Sequence, residues 1–220
     1  MKLLINSALG YDIGLRHLLS SMQKCDNRIQ NKDIIIVKAG GHRYSTELQE
    51  DITIITADNN SFDFTALIAI NDLDIQAEGF LYIHDTCVLG SQFFNKAYDK
   101  GFHYQMVPLY GGASMNIGYY SKTCLKIHED LLLAFKNQDY TQQGLQQAKA
   151  AAVRSEDSIS RKYKTDGTIY QTHCPEITGP TDYYNTGTQR MTEHYTGLDL
   201  YKIKANHDKP LEWPNWIIKL

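Results

Sequence analysis

The sequence predicts an α/β fold built on a mostly parallel central sheet. Four short runs have the apolar, β-branched or aromatic composition of buried strands: 2–5, 33–37, 51–56 and 80–83. Segments with apolar residues at helical spacing, 13–22 and 64–70, lie between them. Near-continuous apolar strands that alternate with helices are typical of parallel sheets covered on both faces.

The rest of the chain continues this alternation less regularly. The pattern predicts helices at 91–98 and 121–136 and a strand at 106–110. Residues 142–153 are rich in Ala and Gln, which favour a further helix. The last fifth of the chain loses periodicity until a strand-like pattern returns at 198–203. No repeat or linker divides the sequence, so we expect one domain.

Composition limits the class of protein. The chain has 220 residues, of which 42% are hydrophobic and 21% charged, and this is enough for one globular core. A formal net charge of −3 supplies no broad cationic surface for duplex nucleic acid. No run approaches the roughly 18–20 apolar residues of a membrane span, and residues 1–9 are too short for the apolar region of a signal peptide. We therefore expect a soluble domain.

The four cysteines lie far apart in the sequence and form no C-x-x-C pair: Cys25, Cys87, Cys124 and Cys174. This spacing does not indicate a zinc or redox motif. We interpret them as reduced thiols in a cytoplasm-like compartment, with two disulfides as the alternative.

The strongest local signal is the end of the fourth predicted strand, where His84, Asp85 and Thr86 follow an apolar run. Ligands bind at the carboxyl edge of open parallel sheets. An aspartate at that edge can hold a hard divalent ion whose other ligands are phosphate oxygens and water. His84 is either a second ligand or a group that orients the aspartate or the phosphate. A solvated turn is the alternative interpretation.

The run 80–86 resembles the aspartate-containing metal motif of GT-A-fold glycosyltransferases. That motif usually has two acids separated by one residue, so only Asp85 matches it. The resemblance implies a single GT-A-like, Rossmann-type α/β/α domain over 1–220. Residues 1–90 would bind the nucleotide, and 91–220 would contact the acceptor and close the site. The small size and the run 83–87 are similar to compact members of this family in large algal viruses and some bacteria.

The resemblance also implies where the donor would bind at the amino-terminal half. The loops that contain Ser7 and Ala39 correspond to those that cradle the nucleoside in GT-A folds. The Asn-rich segment 58–63 is similar to the one before the donor-proximal helix, so Asn60 or Asp63 would contact ribose or base. The same segment also has the composition of a helix N-cap, which needs no ligand.

Further along the chain, 111–120 resembles the glycine-rich segment that shapes the donor and acceptor pocket. Gly112 would allow close backbone approach to the ligand, and Asn116 would bond a sugar hydroxyl. A strand and turn with a packed Asn is the alternative. In the tail, His194, with His207 behind it, matches the histidine that completes metal coordination in many GT-A enzymes. Arg190 and Lys202 are candidates for the diphosphate charge or are surface residues.

An acidic pair, Glu156 and Asp157, lies about 70 residues after the metal motif. An inverting transfer needs a carboxylate that accepts the proton of the attacking hydroxyl. Asp157 resembles the base-bearing motif of inverting GT-A enzymes, and Glu156 is the second choice. Ser155 followed by two acids is also a common start of a helix. If Asp157 is structural, a retaining transferase is the better expectation.

Taken in this order, the motifs predict a glycosyltransferase that requires Mn²⁺ or Mg²⁺. It would move a sugar from a nucleoside diphosphate donor, UDP-type favoured, to a hydroxyl of a glycan or glycoprotein. The absence of G-x-G-x-x-G, a phosphate-binding loop and G-x-S-x-G argues against dehydrogenases, P-loop proteins and α/β-hydrolases. A sugar nucleotidyltransferase and a non-catalytic carbohydrate- or partner-binding module are the alternatives.

Overall fold

The computed structural model describes residues 1–99, 106–108, 117–137, 176–178 and 189–205. The chain divides into two compact units, and each is described by itself. The first unit comprises Met1–Gly10, Ile29–His84 and Phe102–Ile169, and the second comprises Tyr11–Arg28, Asp85–Gly101 and Tyr170–Leu220. No helix among the described residues is long and apolar enough to cross a membrane.

The described elements follow one another in this order: β1 (Lys2–Ala8), α1 (Asp12–Met22), β2 (Ile34–Ala39), β3 (Ser45–Gln49), β4 (Ile52–Thr56), α2 (Thr65–Asp72), β5 (Gly79–His84), β6 (Cys87–Leu89), α3 (Phe93–Asp99), β7 (Met106–Pro108), β8 (Gly118–Ser121), α4 (Lys122–Ile127), α5 (Glu129–Lys136), β9 (Glu176–Thr178), β10 (Gln189–Tyr195) and β11 (Leu200–Ala205).

The first unit contains a sheet of seven described strands in the order β3-β4-β2-β1-β5-β8-β7. The four neighbours β4, β2, β1 and β5 run parallel to one another. β3 and β8 are antiparallel to their neighbours. The fold is therefore mixed α/β with parallel central strands, which confirms the coarse class predicted from the sequence.

The central strands are parallel and buried because their residues are apolar on both faces. Ile34, Ile35, Ile36 and Val37 of β2 are at most 1% exposed, and β5 is buried along its whole length. β-branched residues favour extended backbone, and burial on both faces needs a continuous apolar run. The predicted strands 2–5, 33–37, 51–56 and 80–83 all correspond to observed strands.

The helices of the first unit differ from prediction between residues 121 and 136. The structure has two helices there, α4 and α5, which meet at His128. Ser121 ends β8 and caps α4, since its hydroxyl accepts the Cys124 N–H at 3.0 Å. The apolar spacing is continuous across His128, so periodicity could not locate the break. α5 packs on the loop before α2 through Phe135, whose ring stacks on Phe64 with centroids 4.0 Å apart.

The second unit contains α1, α3 and a sheet of four described antiparallel strands, β6-β11-β10-β9. The predicted strand 198–203 corresponds to β11 and is shifted by two residues. β10 was not predicted because its sequence, Gln-Arg-Met-Thr-Glu-His-Tyr, has few apolar residues. β3 in the first unit was missed for the same reason, as all five of its residues are exposed.

Candidate functional site

The topology of the first unit marks one position on its sheet. β1 has β2 on one side and β5 on the other, and all three strands end at the same edge. Chain connections that leave such a pair of strands in opposite directions open a crevice between their carboxyl ends. Asn6 of β1 lies beside His84, the last residue of β5. The predicted strand-end position of His84 is therefore confirmed.

Asn6 joins this edge to the chain segment before α2. Its amide Nδ2 donates to the Phe62 carbonyl at 3.2 Å, and its Oδ1 accepts the Ala66 N–H at 3.0 Å. Sequence reasoning placed Asn6 at the start of a loop, whereas β1 continues to Ala8. A polar residue directly after the apolar run at 3–5 was the available signal.

The segment 59–65, which we call the edge loop, is held together by its own polar side chains. Ser61 is fully buried, and its hydroxyl accepts from Asn59 Nδ2 at 2.8 Å. The Ser61 N–H donates to Thr65 Oγ1 at 2.8 Å. Asn60 Oδ1 accepts the Phe62 N–H at 3.3 Å. Asn60, a predicted ligand contact, thus also has a structural partner.

The N-cap interpretation of the Asn-rich segment is wrong for both helices that follow it. Neither Ser61, which precedes a short 3-10 helix at Phe62–Phe64, nor Phe64, which precedes α2, makes a side-chain cap. The first turn of a helix leaves N–H groups without helical acceptors. Asn6 accepts one of them, from 60 residues away.

Asp63 and His84, both predicted to bind the donor, are brought together. Asp63 Oδ1 lies 3.8 Å from His84 Nδ1, and the Tyr82 hydroxyl donates to the Asp63 carbonyl at 2.6 Å. The Tyr82 ring packs edge-on against the imidazole, with centroids 5.2 Å apart. His84 is 4% exposed, so the described conformation positions its ring through Asp63 and Tyr82 and leaves it little open surface.

The loops after β1 and β2 are linked to the edge loop by backbone hydrogen bonds. The Leu9 N–H donates to the Ala39 carbonyl, and the Gly40 N–H donates to the Asn59 carbonyl, both at 3.0 Å. Gly40 has φ +93°, and no heavy atom lies within 4 Å of the position that a Cβ would take. Its backbone therefore has open space beside it. Ser7 and Ala39, which the sequence placed in these loops, instead lie in β1 and β2, where both are buried.

Asp85, the predicted metal ligand, lies in the turn directly after β5 and is half-buried. In the second unit, His194 Nε2 lies 3.5 Å from Asp199 Oδ1, and its ring stacks on Tyr201 at 4.0 Å. Within the described ranges, no group of three His, Cys, Asp or Glu side chains could hold a metal ion. The described side chains alone therefore do not form a complete metal site, and a cation at Asp85 would need further ligands.

A buried lysine lies beside the same turn. Lys202 of β11 is 2% exposed, and its ammonium donates to Thr86 Oγ1. The neighbouring Ile203 N–H donates to the Thr86 carbonyl at 2.9 Å. Lysine is rarely buried to this degree. The second unit thus holds a positive charge next to the residue that follows Asp85.

Cys25, Cys124 and Tyr120 are not poised as nucleophiles or bases. Burial raises the pKa of both Cys25 and Cys124 to about 12. Burial, with smaller contributions from Cys124 and Asp63, raises the pKa of Tyr120 well above its ordinary value. Thiolate is the reactive form of cysteine, so these groups are protonated and inert at neutral pH.

Several predicted site residues lie outside what the structure describes. Gly112, Asn116, Glu156 and Asp157 are outside the described residues. For Arg190, only the backbone position in β10 is described. Their assignments stay predictions.

Comparison with known proteins adds no assignment. No family model matches the chain, and a search of curated proteins finds no significant match.

Proposed function

We propose that this chain is a GT-A-type glycosyltransferase that binds a nucleoside diphosphate sugar, UDP-type favoured, at the carboxyl edge of the parallel strands. The observation that carries the proposal is the switch point between β1 and β5, where the Asp63–His84 pair lies. Ligands of open α/β sheets bind at such points. The open backbone at Gly40 leaves room for a flat group to approach this edge.

We assign Asp85 and Lys202 to the diphosphate part of the donor, as the sequence predicts. Asp85 offers a carboxylate directly after β5, and Lys202 places an ammonium at Thr86. Mn²⁺ or Mg²⁺ bound with the diphosphate would neutralise the charge that develops on the leaving group. Lys202 would add a fixed positive charge with the same effect.

The proposed reaction is substitution at the anomeric carbon of the donor. The acceptor hydroxyl of a glycan or glycoprotein forms a bond to this carbon while the bond to the diphosphate oxygen breaks. Asp157, or Glu156 as second choice, takes the hydroxyl proton in an inverting transfer. Retention of configuration would mean that Asp157 is not the base.

The proposal is tested by thermal shift with UDP, GDP, UDP-glucose and UDP-galactose, each with and without Mn²⁺. Ligands that bind only the folded state raise the melting temperature. We expect a selective, metal-dependent rise that Asp85→Asn abolishes. Asp130→Asn is the matched control, because Asp130 is exposed on α5 in the first unit, and it should shift like the parent chain. No rise with any nucleotide would contradict the proposal.

The two other candidate classes give different outcomes in the same experiment. A binding module would respond to free sugars without metal and would be unaffected by Asp85→Asn. A sugar nucleotidyltransferase would release pyrophosphate from a nucleoside triphosphate and a sugar phosphate. Transfer that persists unchanged in Asp157→Asn would show that the assigned base is wrong.

A further inference from the structure

Phe62, in the edge loop, has an unusual backbone conformation. Its φ is +49°, in the left-handed region where a bulky residue is a genuine outlier. Such conformations persist only when the surrounding structure holds them, and they cluster at functional sites. The question is which groups hold this one.

Hydrogen bonds fix the backbone on both sides of Phe62. The Phe62 N–H donates to Asn60 Oδ1 at 3.3 Å, within the edge loop itself. The Phe62 carbonyl accepts from Asn6 Nδ2 at 3.2 Å. The second bond reaches outside the loop, so Asn6 is the group that ties Phe62 to the sheet.

Asn6 is well suited to act as a fixed support. It lies within β1 and is aligned with Val37 of β2 and His84 of β5. A residue with strands on both sides moves little compared with a loop. Its Oδ1 also accepts the Ala66 N–H at 3.0 Å, so one side chain fixes both the edge loop and the first turn of α2.

We infer that Asn6 is a positioning residue that holds the edge loop in the shape required for donor binding. This inference rests on the proposed function. Asn60 and Asp63 lie on either side of Phe62 in the sequence, and Asp63 faces His84 at 3.8 Å. If residue 62 relaxes to the right-handed region, the loop no longer presents these two residues in the same arrangement. The measured affinity for the donor is then reduced in proportion to the fraction of molecules whose loop keeps the competent shape.

The test uses Asn6→Ala, which removes both side-chain bonds, and Asn6→Asp, which keeps the acceptor for Ala66 and loses the donor to Phe62. Hydrogen exchange at the Phe62 and Ala66 amides reports the loop, and calorimetry with UDP and Mn²⁺ reports binding. For Asn6→Ala we expect both amides to exchange at least tenfold faster while amides of β2 are unchanged, and an affinity about tenfold weaker. For Asn6→Asp we expect faster exchange at Phe62 and retained protection at Ala66. Asn137→Ala, at an exposed position after α5, is the matched control and should change neither readout.

A double variant separates positioning from a direct contact of Asn6 with the ligand. Glycine adopts positive φ without strain, so Phe62→Gly reduces the need for a support. We expect the affinity lost in Asn6→Ala to be several-fold smaller when measured in the Phe62→Gly background. An equal loss in both backgrounds, or loop amides that stay protected in both Asn6 variants, would overturn the inference. If the parent chain binds no nucleotide, the proposed function fails, and the exchange measurements still decide whether Asn6 holds the loop.

Discussion

The seven-stranded sheet has polar residues at both ends of its parallel strands, the amino edge and the carboxyl edge, but these residues have different partners. Beside the start of β5, a cleft of about 260 Å³ is lined mostly by charged side chains from α2, the loop after it, α4 and α5. Its charges are paired at the surface, as in Lys122 with Asp74 at 2.7 Å and Lys126 with Glu129 at 2.5 Å. At the carboxyl edge, uncharged side chains bond backbone groups instead: Asn6 donates to the Phe62 carbonyl of the edge loop, and Ser61 of the edge loop donates to the Phe135 carbonyl of α5.

This difference shows that charge density alone does not identify a site. Exposed ion pairs contribute little to stability, because water screens the charges and the long side chains lose entropy. A buried neutral group that bonds the backbone contributes more, because its removal leaves a partner unsatisfied. The carboxyl edge, where buried side chains bond the backbone, is therefore the more constrained of the two, and substitutions there should have the larger effects.

The largest effect is expected for Phe64→Ala, which removes the fully buried ring that joins the edge loop to α5. The loss of packing and the resulting cavity should lower the free energy of unfolding by about 3–5 kcal/mol. Urea denaturation measures this change. Leu133→Ala, at a 50% exposed position on α5, is the control and should cost less than about 0.5 kcal/mol beyond its helix preference. A similar loss in the free energy of unfolding for both variants would show that the Phe64 ring does not join the edge loop to α5.

A smaller effect is expected for Ser61→Ala. The Ser61 hydroxyl donates to the Phe135 carbonyl at 3.2 Å and accepts from Asn59, so the variant leaves a buried carbonyl and a half-buried amide without this partner. We expect a loss of about 1–3 kcal/mol in the free energy of unfolding, measured by denaturation. Ser45→Ala, on the exposed strand β3, should be within about 0.5 kcal/mol of the parent chain. If both serine variants behave alike, the edge loop is not held by Ser61.

A still smaller effect is expected for Tyr44→Phe, which removes a half-buried hydroxyl bonded to Asp72, a residue that lines the cleft. The Tyr44 hydroxyl donates to Asp72 Oδ2 at 2.9 Å, and we expect its removal to cost about 1 kcal/mol, discounted for partial exposure. Burial, with the Asp72 hydrogen bond second, raises the pKa of Tyr44 above its ordinary value of 10.0. The unfolded phenol ionises first as pH rises, so stability is fully present below pH 10 and is lost above it. Tyr44→Phe should reduce this loss between pH 9 and 11, and an unchanged alkaline profile would contradict the assignment.

The smallest effect is expected for Lys122→Met. The Lys122–Asp74 pair is exposed, with 78% exposure at the Asp74 side chain, so at neutral pH we expect no resolvable change in the denaturation midpoint. The hydrogen bond from Lys122, together with its charge, lowers the pKa of Asp74 below its ordinary value of 3.8. Any contribution is therefore present above that value and lost as the pH falls below it. A large shift of the denaturation midpoint at neutral pH would contradict the proposed difference between the two edges.

The sequence predicts most of the first unit, because its signals are local. The β-branched run at 34–37 and the apolar run at 80–83 can be recognised from the sequence alone, and they correspond to β2 and β5. β3 and β10 could not be predicted, since strands with exposed or mixed residues have no distinctive periodicity. Their pairing with β4 and β11 determines that they are strands.

The candidate site shows the same division. His84 at a strand end and Asp85 after it follow from the apolar run that precedes them, and the structure places His84 at the end of β5. The contribution of Asn6 could not be predicted, because its partners Phe62 and Ala66 lie 56 and 60 residues away. Nothing in a local window indicates that an asparagine in β1 will accept an N–H from α2.

The sequence by itself determined which segments are buried strands and that an aspartate follows one of them, because hydrophobic periodicity depends only on near neighbours along the chain. Only the tertiary structure decided the order of the strands, the Asp63–His84 pair and the support of Phe62 by Asn6. These depend on which distant segments pack together. Buried polar groups take whichever hydrogen-bonding partner the packing brings within reach.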